Sequence, residues 1–291
     1  MKLMERPAAA LAGGTETPLI AGRYRQLEKI GTGSTATVHL GHDALLGRHV
    51  AIKMIQTPMP AVPSEDAEVQ ALTTMQHPGV VTLFDAMPGD LREEGTSGLV
   101  LILEFVDGPD LRCLLRNEGA LPEADVAALG IQLADALDYV HSRQVIHRDL
   151  KPANILLAKD DREGKSWMPK LADFGISRSA DPELTLEDAV AGTPAYLSPE
   201  QIKGEQPGTP SDIYSLGLIL LQCFTGEMAF PGPPLESAIA RTLSGPELPD
   251  GLPRAWRSLL TSMTDPDPAA RPAAADIAHR LRTRHPEHAA A

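Results

Sequence analysis

The hydrophobic pattern of the chain changes at Asp107-Gly108-Pro109, and no other feature limits the fold as strongly. Before this turn the apolar residues alternate, as in Ala36 to Leu40, or form short β-prone runs such as Val50 to Ile55 and Leu99 to Val106. After it they recur at every third or fourth position, most regularly from Glu123 to His141. We therefore expect an α+β chain with a small antiparallel sheet unit, a larger mainly helical unit and a ligand-binding cleft where they join.

The ends of the chain differ from its middle in composition. Residues 1–21 are rich in Ala, Gly, Thr and Pro and are expected to form a disordered leader, and residues 285–291 a flexible tail. The folded domain is expected over 22–284, with the sheet unit over 22–106 and the helical unit over 107–284.

Proline spacing and apolar periodicity locate the remaining helices. One short helix is expected in the first unit within Glu65–Met75, because prolines border this segment on both sides. In the second unit further helices are expected over about 211–225, 235–244, 253–263 and 272–283.

The charge balance excludes one class of partner. The chain has 26 basic and 39 acidic residues and a net charge of -13, which would repel a phosphate backbone unless a strong basic patch were segregated. No such patch is visible in the sequence. Nucleic acid is therefore not an expected partner.

The two cysteines, Cys113 and Cys223, are too few for a disulfide framework and lack metal-ligand spacing. They favour buried thiols in a reducing compartment. The apolar run from Ala8 to Ala12 is too short for a signal peptide, and no stretch approaches eighteen uninterrupted apolar residues. We expect a cytoplasmic location and no membrane segment.

Three motifs occur in a fixed order. The first is V-A-I-K, which ends at Lys53, and the second is V-I-H-R-D-L-K-P-A-N-I-L-L over Val145 to Leu157. The third is D-F-G at Asp173, Phe174 and Gly175. Together they closely resemble the catalytic domain of the protein-kinase family, in particular the eukaryotic-like (Hanks-type) serine/threonine kinases of bacteria. The resemblance implies a bilobal fold and transfer of the γ-phosphate of ATP to Ser or Thr hydroxyls of proteins.

The resemblance gives each motif residue a role. Asp149 would orient the attacking hydroxyl and accept its proton, and Lys151 would lie near the transferred phosphate. Asn154 and Asp173 would bind Mg²⁺ (or Mn²⁺), a hard cation that prefers oxygen ligands. Lys53 would contact the first two phosphates of ATP.

Lys53 needs a carboxylate partner to hold it in place. Glu68 is the expected partner because it lies nine residues before His77-Pro78, as the helix glutamate of the family commonly does. Glu65 is the alternative.

The stretch I-G-T-G-S-T-A over Ile30 to Ala36 resembles the family's glycine loop, with Ala36 in place of the third glycine. We expect Ala36 to be tolerated, since one methyl can be accommodated if its φ stays negative. By their spacing from these motifs, as in the family, Leu103 would be the gatekeeper residue and Asp110 would contact the ribose. Asp110 would also favour a basic residue upstream of the acceptor. The other nucleotide contacts implied are Ile30, Gly31, Thr32, Gly33, Ser34, Val38, Ala51, Glu104, Val106 and Leu156.

The polar segment from Ile176 to Ser198 resembles the activation segment. The stretch G-T-P-A-Y-L-S-P-E at Gly192 to Glu200 resembles its anchor, with Ser198 where Ala is commoner. Thr185 is the expected phosphorylation site, and Arg148 beside the catalytic aspartate would receive that phosphate. The alternative acceptors are Ser177, Ser179 and Thr193.

Three further residues have implied structural roles. Glu200 would form a buried ion pair with Arg271. The motif over Val145 to Leu157 corresponds to the catalytic loop of the family. Asp212, in S-D-I-Y-S-L-G, would brace this loop from a central helix.

Lys151-Pro152 and Thr193-Pro194 are similar to the serine/threonine class, so the expected substrates are proteins with Ser or Thr acceptors. Autophosphorylation is expected, with a transient homodimer as the arrangement for it. A kinase-fold scaffold without activity is the main alternative, but it would lack Lys53, Asp149 or Asp173, which are all present. A small-molecule kinase is a second alternative, which the full activation segment disfavours.

Two segments depart from the family's usual lengths. We expect a hairpin extension at Lys159–Trp167 and a surface excursion over Pro88–Gly98. We expect no further module after the domain, so the upstream signal is expected to arrive through a soluble partner or autophosphorylation.

Overall fold

The computed structural model describes residues 19–33, 36–56, 73–91, 96–159, 167–174 and 194–285, and gives only the backbone at 90–91 and 96–97. These residues form two compact units. One contains the residues up to 56 together with those from 85 to 105, and the other contains those from 73 to 84 and from 106 onward. Residues 1–18 of the expected leader, 286–291 of the expected tail and 65–72 of the helix expected at Glu65–Met75 lie outside the described residues.

The first unit is built on a five-stranded sheet in the order β1-β2-β3-β5-β4. Neighbouring strands β1 and β2, β2 and β3, and β3 and β5 are antiparallel. On one face Val50, Ile52 and Ile102 are fully buried, whereas Ala51, Lys53 and Leu103, which alternate with them, are half-buried. This period of two matches the sequence pattern, and the expected α+β class is confirmed. The strands span Tyr24–Thr32, Ala36–Asp43, Arg48–Gln56, Leu83–Leu91 and Thr96–Glu104 (β1 to β5).

The extent of the predicted excursion over Pro88–Gly98 was wrong. Strand β4 continues through Pro88 to Leu91, and β5 begins at Thr96, so only residues 92–95 separate the two described strands. A proline fits here because β4 is an edge strand of the sheet, where a missing N–H costs no ladder hydrogen bond on the open side.

The turn between β2 and β3 is held by Asp43. This buried carboxylate accepts hydrogen bonds from Arg23 Nε and Nη2 at 2.8 and 2.6 Å and from the backbone N–H groups of Leu45 and Leu46 at 3.1 and 3.2 Å. The Arg23 hydrogen bonds are the main reason that the pKa of Asp43 lies well below its usual range. The carboxylate is therefore ionised at neutral pH and fixes the register of two strands that carry predicted site residues.

The second unit contains seven α-helices and one hairpin among its described residues. Helix α2 (Glu123–His141) packs against α4 (Thr209–Thr225), against α7 (Ala274–Arg284) and against the hairpin. Helix α4 also packs against α6 (Arg254–Met263). The hairpin strands are β6, Ile155–Lys159, and β7, Trp167–Leu171, and Lys159 pairs with Trp167 across it. No helix within the described ranges combines the length and the apolar character needed to cross a membrane. The helices are Leu111–Glu118, Glu123–His141, Pro199–Ile202, Thr209–Thr225, Pro234–Leu243, Arg254–Met263 and Ala274–Arg284 (α1 to α7).

Helix periodicity located most of these elements. The helix expected over Glu123–His141 has the same bounds in the structure, and α4 to α7 begin and end within about two residues of the expected positions. Helix α1 was not expected, because eight residues give too few turns for a periodic signal. Its start is nevertheless marked in the sequence by Asp110, whose side chain caps the helix at the N–H of Cys113, 2.7 Å away.

Gly108 allows the chain to enter the second unit close to β6. A Cβ at this position would lie 1.9 Å from the carbonyl oxygen of Leu157, so only glycine fits without moving the backbone. The contact is secured by the N–H of Leu157, which donates to the carbonyl of Pro109 at 2.9 Å. The turn predicted at Asp107-Gly108-Pro109 is therefore also a site of close packing against β6.

A buried ion pair joins α3 to the segment before α7. Arg271 donates two hydrogen bonds to the carboxylate of Glu200, at 2.7 and 2.9 Å, and Ser211 donates a third at 2.6 Å. The backbone carbonyls of Pro210 and Asp265 accept further hydrogen bonds from the guanidinium. Burial raises the pKa of the Glu200 carboxyl, but the hydrogen bonds from Arg271 and Ser211 outweigh burial and hold the pKa below its usual value.

Removing one member of this pair should leave the other charge buried without a partner. We expect Glu200→Gln and Arg271→Met each to lower the free energy of unfolding by about 3 kcal/mol at pH 7, measured by urea denaturation. The matched control is Asp135→Asn, which breaks the partly exposed pair with Arg282 and should cost about 1 kcal/mol or less.

The pH dependence follows from the lowered pKa. The stabilisation is fully present above the unfolded-state pKa of the carboxyl and is lost as the pH falls through the lower folded-state pKa. The difference between wild type and Glu200→Gln should therefore shrink in acid. Equal losses for the buried and the exposed pair at pH 7 would contradict this interpretation.

Candidate active site

The loop between α2 and β6 is fixed by one carboxylate on helix α4. Asp212 is 1% exposed and accepts the backbone N–H groups of His147 and Arg148 at 2.8 and 3.0 Å. His141, the last residue of α2, donates from its ring Nε2 to the same carboxylate at 2.8 Å. Asp212 thus holds two backbone N–H groups of this loop, and it also contacts His141, which the motifs did not reveal.

Within this loop two donors converge on one oxygen of Asp149. Lys151 Nζ lies 2.7 Å from Oδ2 and Asn154 Nδ2 lies 3.0 Å from it, and the same amide also donates to the Asp149 carbonyl at 2.8 Å. The Asp149 and Lys151 side chains are about a quarter exposed, so solvent or a substrate can reach them. The 3₁₀ turn Pro152–Asn154 places the amide where both hydrogens reach Asp149.

The position of Asp173 is set by its neighbour Ala172. The Ala172 N–H donates to the carbonyl of Asn154 at 2.9 Å, and the ring Nε2–H of His147 donates to the Ala172 carbonyl at 3.0 Å. Phe174 packs on the buried His147 ring with centroids 4.7 Å apart. Asp173 itself has φ of 56°, a conformation that L-residues rarely adopt unless their surroundings hold them there.

Gln201 connects the catalytic loop to the anchor of the activation segment. Its Nε2 donates to the carbonyl of Arg148 at 2.9 Å, and its Oε1 accepts from the N–H and the hydroxyl of Ser198, each at 3.1 Å. Arg148 has φ of 64°, so this carbonyl contact helps to hold a strained backbone. Sequence reasoning noted Ser198 as a departure from the family but missed Gln201, because the contact joins residues 53 positions apart.

In the first unit, register puts several predicted nucleotide residues on one face of the sheet. Val38 lies opposite both Gly31 and Lys53, and Ala51 lies opposite Leu103. Directly opposed residues in antiparallel strands point to the same side, as do residues two apart on one strand. The five positions therefore share a face, with Lys53 in the middle of β3.

The glycine loop begins inside β1 rather than after it. Ile30, Gly31 and Thr32 belong to this strand, and the Gly33 N–H donates to the carbonyl of Ala36 at 2.8 Å. Gly31, Gly33 and Ala36 do not have positive φ. A Cβ added at Gly31 or Gly33 would find its nearest neighbour in the described part of the chain at 3.6 Å, so this part of the protein leaves room for a methyl group at both positions.

The remaining nucleotide positions lie in or beside the second unit. Leu156 is half-buried on the outer side of β6 and forms an isolated bridge with Asp110. The Asp110 carboxylate caps α1 and also accepts from Arg112 at 3.0 Å. The carbonyl of Val106 accepts from the Gly108 N–H at 3.1 Å. Glu104 is the last residue of β5 and lies opposite Val50.

Several predicted residues lie outside the described part of the chain. They are Ser34 of the glycine loop, Glu68 and its alternative Glu65, Thr185, and the other acceptors Ser177, Ser179 and Thr193.

The order of these elements can be compared with known families. The model of the protein kinase domain matches residues 24–281, which is most of the chain. The chain belongs to the protein kinase family. The expected kinase fold is thereby confirmed, with its antiparallel sheet unit and its mainly helical unit.

Similar proteins are kinases of bacteria. A probable serine/threonine-protein kinase PknB of Bifidobacterium longum is 33% identical over 263 residues, which is 84% of this chain and 36% of the relative. Serine/threonine-protein kinase pkn2 of Myxococcus xanthus is 33% identical over 285 residues, 92% of this chain and 33% of the relative. For serine/threonine-protein kinase PkaA of Streptomyces coelicolor the identity is 33% over 285 residues, 90% of this chain and 50% of the relative. The kinase chain thus spans a third to a half of these curated relatives.

The two roles of Gln201 can be separated by mutation. Glu at this position can accept from Ser198 but cannot donate to Arg148, so we expect Gln201→Glu to lower kcat about tenfold with little change in the KM for ATP. Ser198→Ala removes the hydroxyl that donates to Gln201 Oε1 but leaves the Gln201–Arg148 hydrogen bond, and it should cost about 1 kcal/mol of stability without that loss of kcat. Steady-state kinetics and thermal unfolding of both variants measure these two effects. Equal kcat values for wild type and Gln201→Glu would show that the hydrogen bond from Gln201 to the Arg148 carbonyl does not support catalysis.

Proposed function

We propose that this kinase transfers the γ-phosphate of ATP to Ser or Thr hydroxyls of proteins. The arrangement of Lys151 and Asn154 around Oδ2 of Asp149 is the observation that carries the proposal. A carboxylate held at one oxygen by two donors has a fixed direction, so it can align an attacking hydroxyl and accept its proton. The Lys151 ammonium, 2.7 Å away, is a cation close to where the transferred phosphoryl group gains charge.

The donor set of the second unit fits a divalent cation that prefers oxygen. Both amide hydrogens of Asn154 are directed to Asp149, which leaves Asn154 Oδ1 as the end of the amide that can bind a metal. The Ala172 N–H donates to the carbonyl of Asn154, and Asp173 is the residue that follows Ala172. No group of three or more His, Cys, Asp and Glu suited to a metal occurs among the described residues. This agrees with Mg²⁺ or Mn²⁺, which can be bound by one or two protein ligands together with phosphates and water.

Asn154 and Asp173 would hold this cation, which neutralises phosphate charge when it is bound. The residues of the chain do the rest of the work. Asp149 orients the acceptor, Lys151 offsets charge at the reacting group, and Lys53 on the sheet supplies the cation for the other phosphates.

The glycine loop supports a phosphate-binding role for the same sheet face. Gly31 and Gly33 have neither the backbone conformation nor, among the described residues, the tight contacts that would require glycine. Gly41 is different, because a Cβ there would lie 2.4 Å from Ile52 Cδ1. Close approach of backbone N–H groups to a phosphate is the remaining physical reason for glycine at the first two positions.

The preference for Ser and Thr rests on Lys151-Pro152 and on the similarity to proteins named as serine/threonine-protein kinases. Arg148 beside Asp149 would receive a phosphate on Thr185, placed there by autophosphorylation in a transient homodimer. Both cysteines are free, in keeping with a reducing cytoplasmic location.

The proposed activity depends on single side chains. With radiolabelled ATP and Mg²⁺ or Mn²⁺, we expect wild type to label itself and a generic basic protein. Asp149→Asn and Lys53→Met should each reduce labelling at least about 10²-fold. The matched controls Asp125→Asn and Lys29→Met change exposed residues of the same types and should keep wild-type activity. Absence of labelling by wild type would refute the enzyme and favour a kinase-fold scaffold.

The glycine loop gives an independent test of where phosphate binds. Gly31→Ala and Gly33→Ala should raise the KM for ATP about tenfold or more without lowering the Tm, since the protein has room for each methyl group. Gly41→Ala should do the reverse and mainly lower the Tm. Ala36→Gly should change the KM for ATP only a few-fold, because Ala36 lies at the start of β2 without positive φ. A large change for Ala36→Gly would show that the third position matters more than the first two.

A further inference from the structure

A groove in the second unit runs from helix α1 past the catalytic loop to the end of α4. It encloses about 580 Å³. Its apolar lining comes from Leu115, Pro152, Tyr196, Met228 and Pro231. All of these residues belong to the second unit, so the groove is a feature of this unit alone.

The charged residues of the groove are mainly cationic. Arg112, Arg116 and Lys151 line it, and Glu227 is the one carboxylate among its lining residues. Arg112 and Arg116 are four residues apart on α1 and therefore share a face of the helix. Cationic side chains in a groove favour an anionic occupant where they have no carboxylate partner.

The hydrogen bonds show which of these cations is available. Arg112 is paired with Asp110 at 3.0 Å, and Lys151 with Asp149 at 2.7 Å. Arg116 donates to the Sγ atom of Cys113 at 3.1 Å, and among the described residues it has no carboxylate partner. Its side chain is exposed, so a carboxylate in the groove would meet a guanidinium that can still form an ion pair.

The Asp110 carboxylate already has two hydrogen-bond donors within this unit. The sequence suggested that this residue would favour a basic residue upstream of the acceptor. In the structure its Oδ1 caps α1 and its Oδ2 accepts from Arg112. Both oxygens of the Asp110 carboxylate therefore already accept a hydrogen bond.

Lys151 fixes the distance between the groove and the proposed chemistry. It lines the groove while its Nζ contacts Asp149, so the two sites are about one lysine side chain apart. An extended peptide advances roughly 3.3 Å per residue and alternates its side chains. A residue two positions from the acceptor therefore lies about 7 Å away and points to the same side as the acceptor hydroxyl.

We propose that this groove binds the substrate and selects a carboxylate side chain two residues from the Ser or Thr acceptor. The inference rests on the proposed kinase activity and adds the class of peptide that the enzyme prefers. The carboxylate pairs with Arg116, and the apolar lining receives neighbouring aliphatic side chains.

The sequence of the chain contains a segment of this kind. Thr185 lies in A-D-P-E-L-T-L-E-D-A-V over residues 180–190, with Glu183 and Glu187 two positions away on either side and leucines next to it. The segment has one Thr and no Ser. It is therefore an acidic peptide with a single acceptor and can serve as the probe.

The experiment compares this peptide with four charge-reversed forms as substrates of the full chain. Substitution at one of the two positions, Glu183→Lys or Glu187→Lys, should lower kcat/KM about tenfold. Asp181→Lys and Asp188→Lys are the matched controls and should change it less than about threefold, because they lie farther away or point to the other side. Equal or better phosphorylation of both Glu→Lys peptides would overturn the inference.

A reversed charge in the enzyme should reverse the preference. Arg116→Glu should lower kcat/KM for the parent peptide about tenfold and raise it for the sensitive Glu→Lys peptide. Arg254→Glu makes the same charge change at an exposed position outside the groove and should leave the preference intact. Identical behaviour of the two variants would show that Arg116 does not read the substrate.

A generic basic protein and self-labelling separate this inference from the proposed function. If either is labelled by wild type while the acidic peptide is not, the kinase activity stands and the substrate inference fails. If nothing is labelled, the proposed function fails as well.

Discussion

The carboxylate of Asp212 is the contact on which the geometry of the catalytic loop depends. It is almost fully buried and accepts two backbone N–H groups of the loop and the ring N–H of His141. Burying a carboxylate is costly unless donors surround it, so the loop and the helix stabilise each other. Because the backbone is fixed at His147, the His147 ring contacts the carbonyl of Ala172, the residue before Asp173. Asp149 follows His147 by two residues, so the same contact positions both Asp149 and Asp173 within this unit.

Burial separates the structural carboxylates from those proposed to act in chemistry. Glu200 and Asp212 are at most 5% exposed and are surrounded by donors. Asp149 is about a quarter exposed and is held at one oxygen. A carboxylate of the first kind loses stabilisation when any donor is removed, whereas one of the second kind must remain accessible to a hydroxyl. The same residue type thus serves the fold or the reaction according to its surroundings.

Much of the fold and of the candidate site could be predicted from the sequence, for identifiable reasons. Helix α2 repeats its apolar positions over nineteen residues, so its period was clear, and the short motifs fix the order of Lys53, Asp149 and Asp173. Strand β4 and helix α1 were missed because a proline at an open sheet edge and an eight-residue helix leave weak local signals. Gln201 and His141 were missed for another reason, because their contacts join residues 53 and 71 positions apart.

Amide hydrogen exchange in Asp212→Asn tests the central role of this carboxylate most directly. The amide side chain has one acceptor oxygen and presents N–H groups to donors, so it cannot satisfy His147, Arg148 and His141 together. We predict that protection falls selectively at the His147 and Arg148 amides, most at Arg148, because its acceptor oxygen is not the one shared by His147 and His141. The core of α2 and α4 should keep its protection, and kcat should fall. Unchanged protection at these two amides, or full activity with the protection lost, would contradict the account.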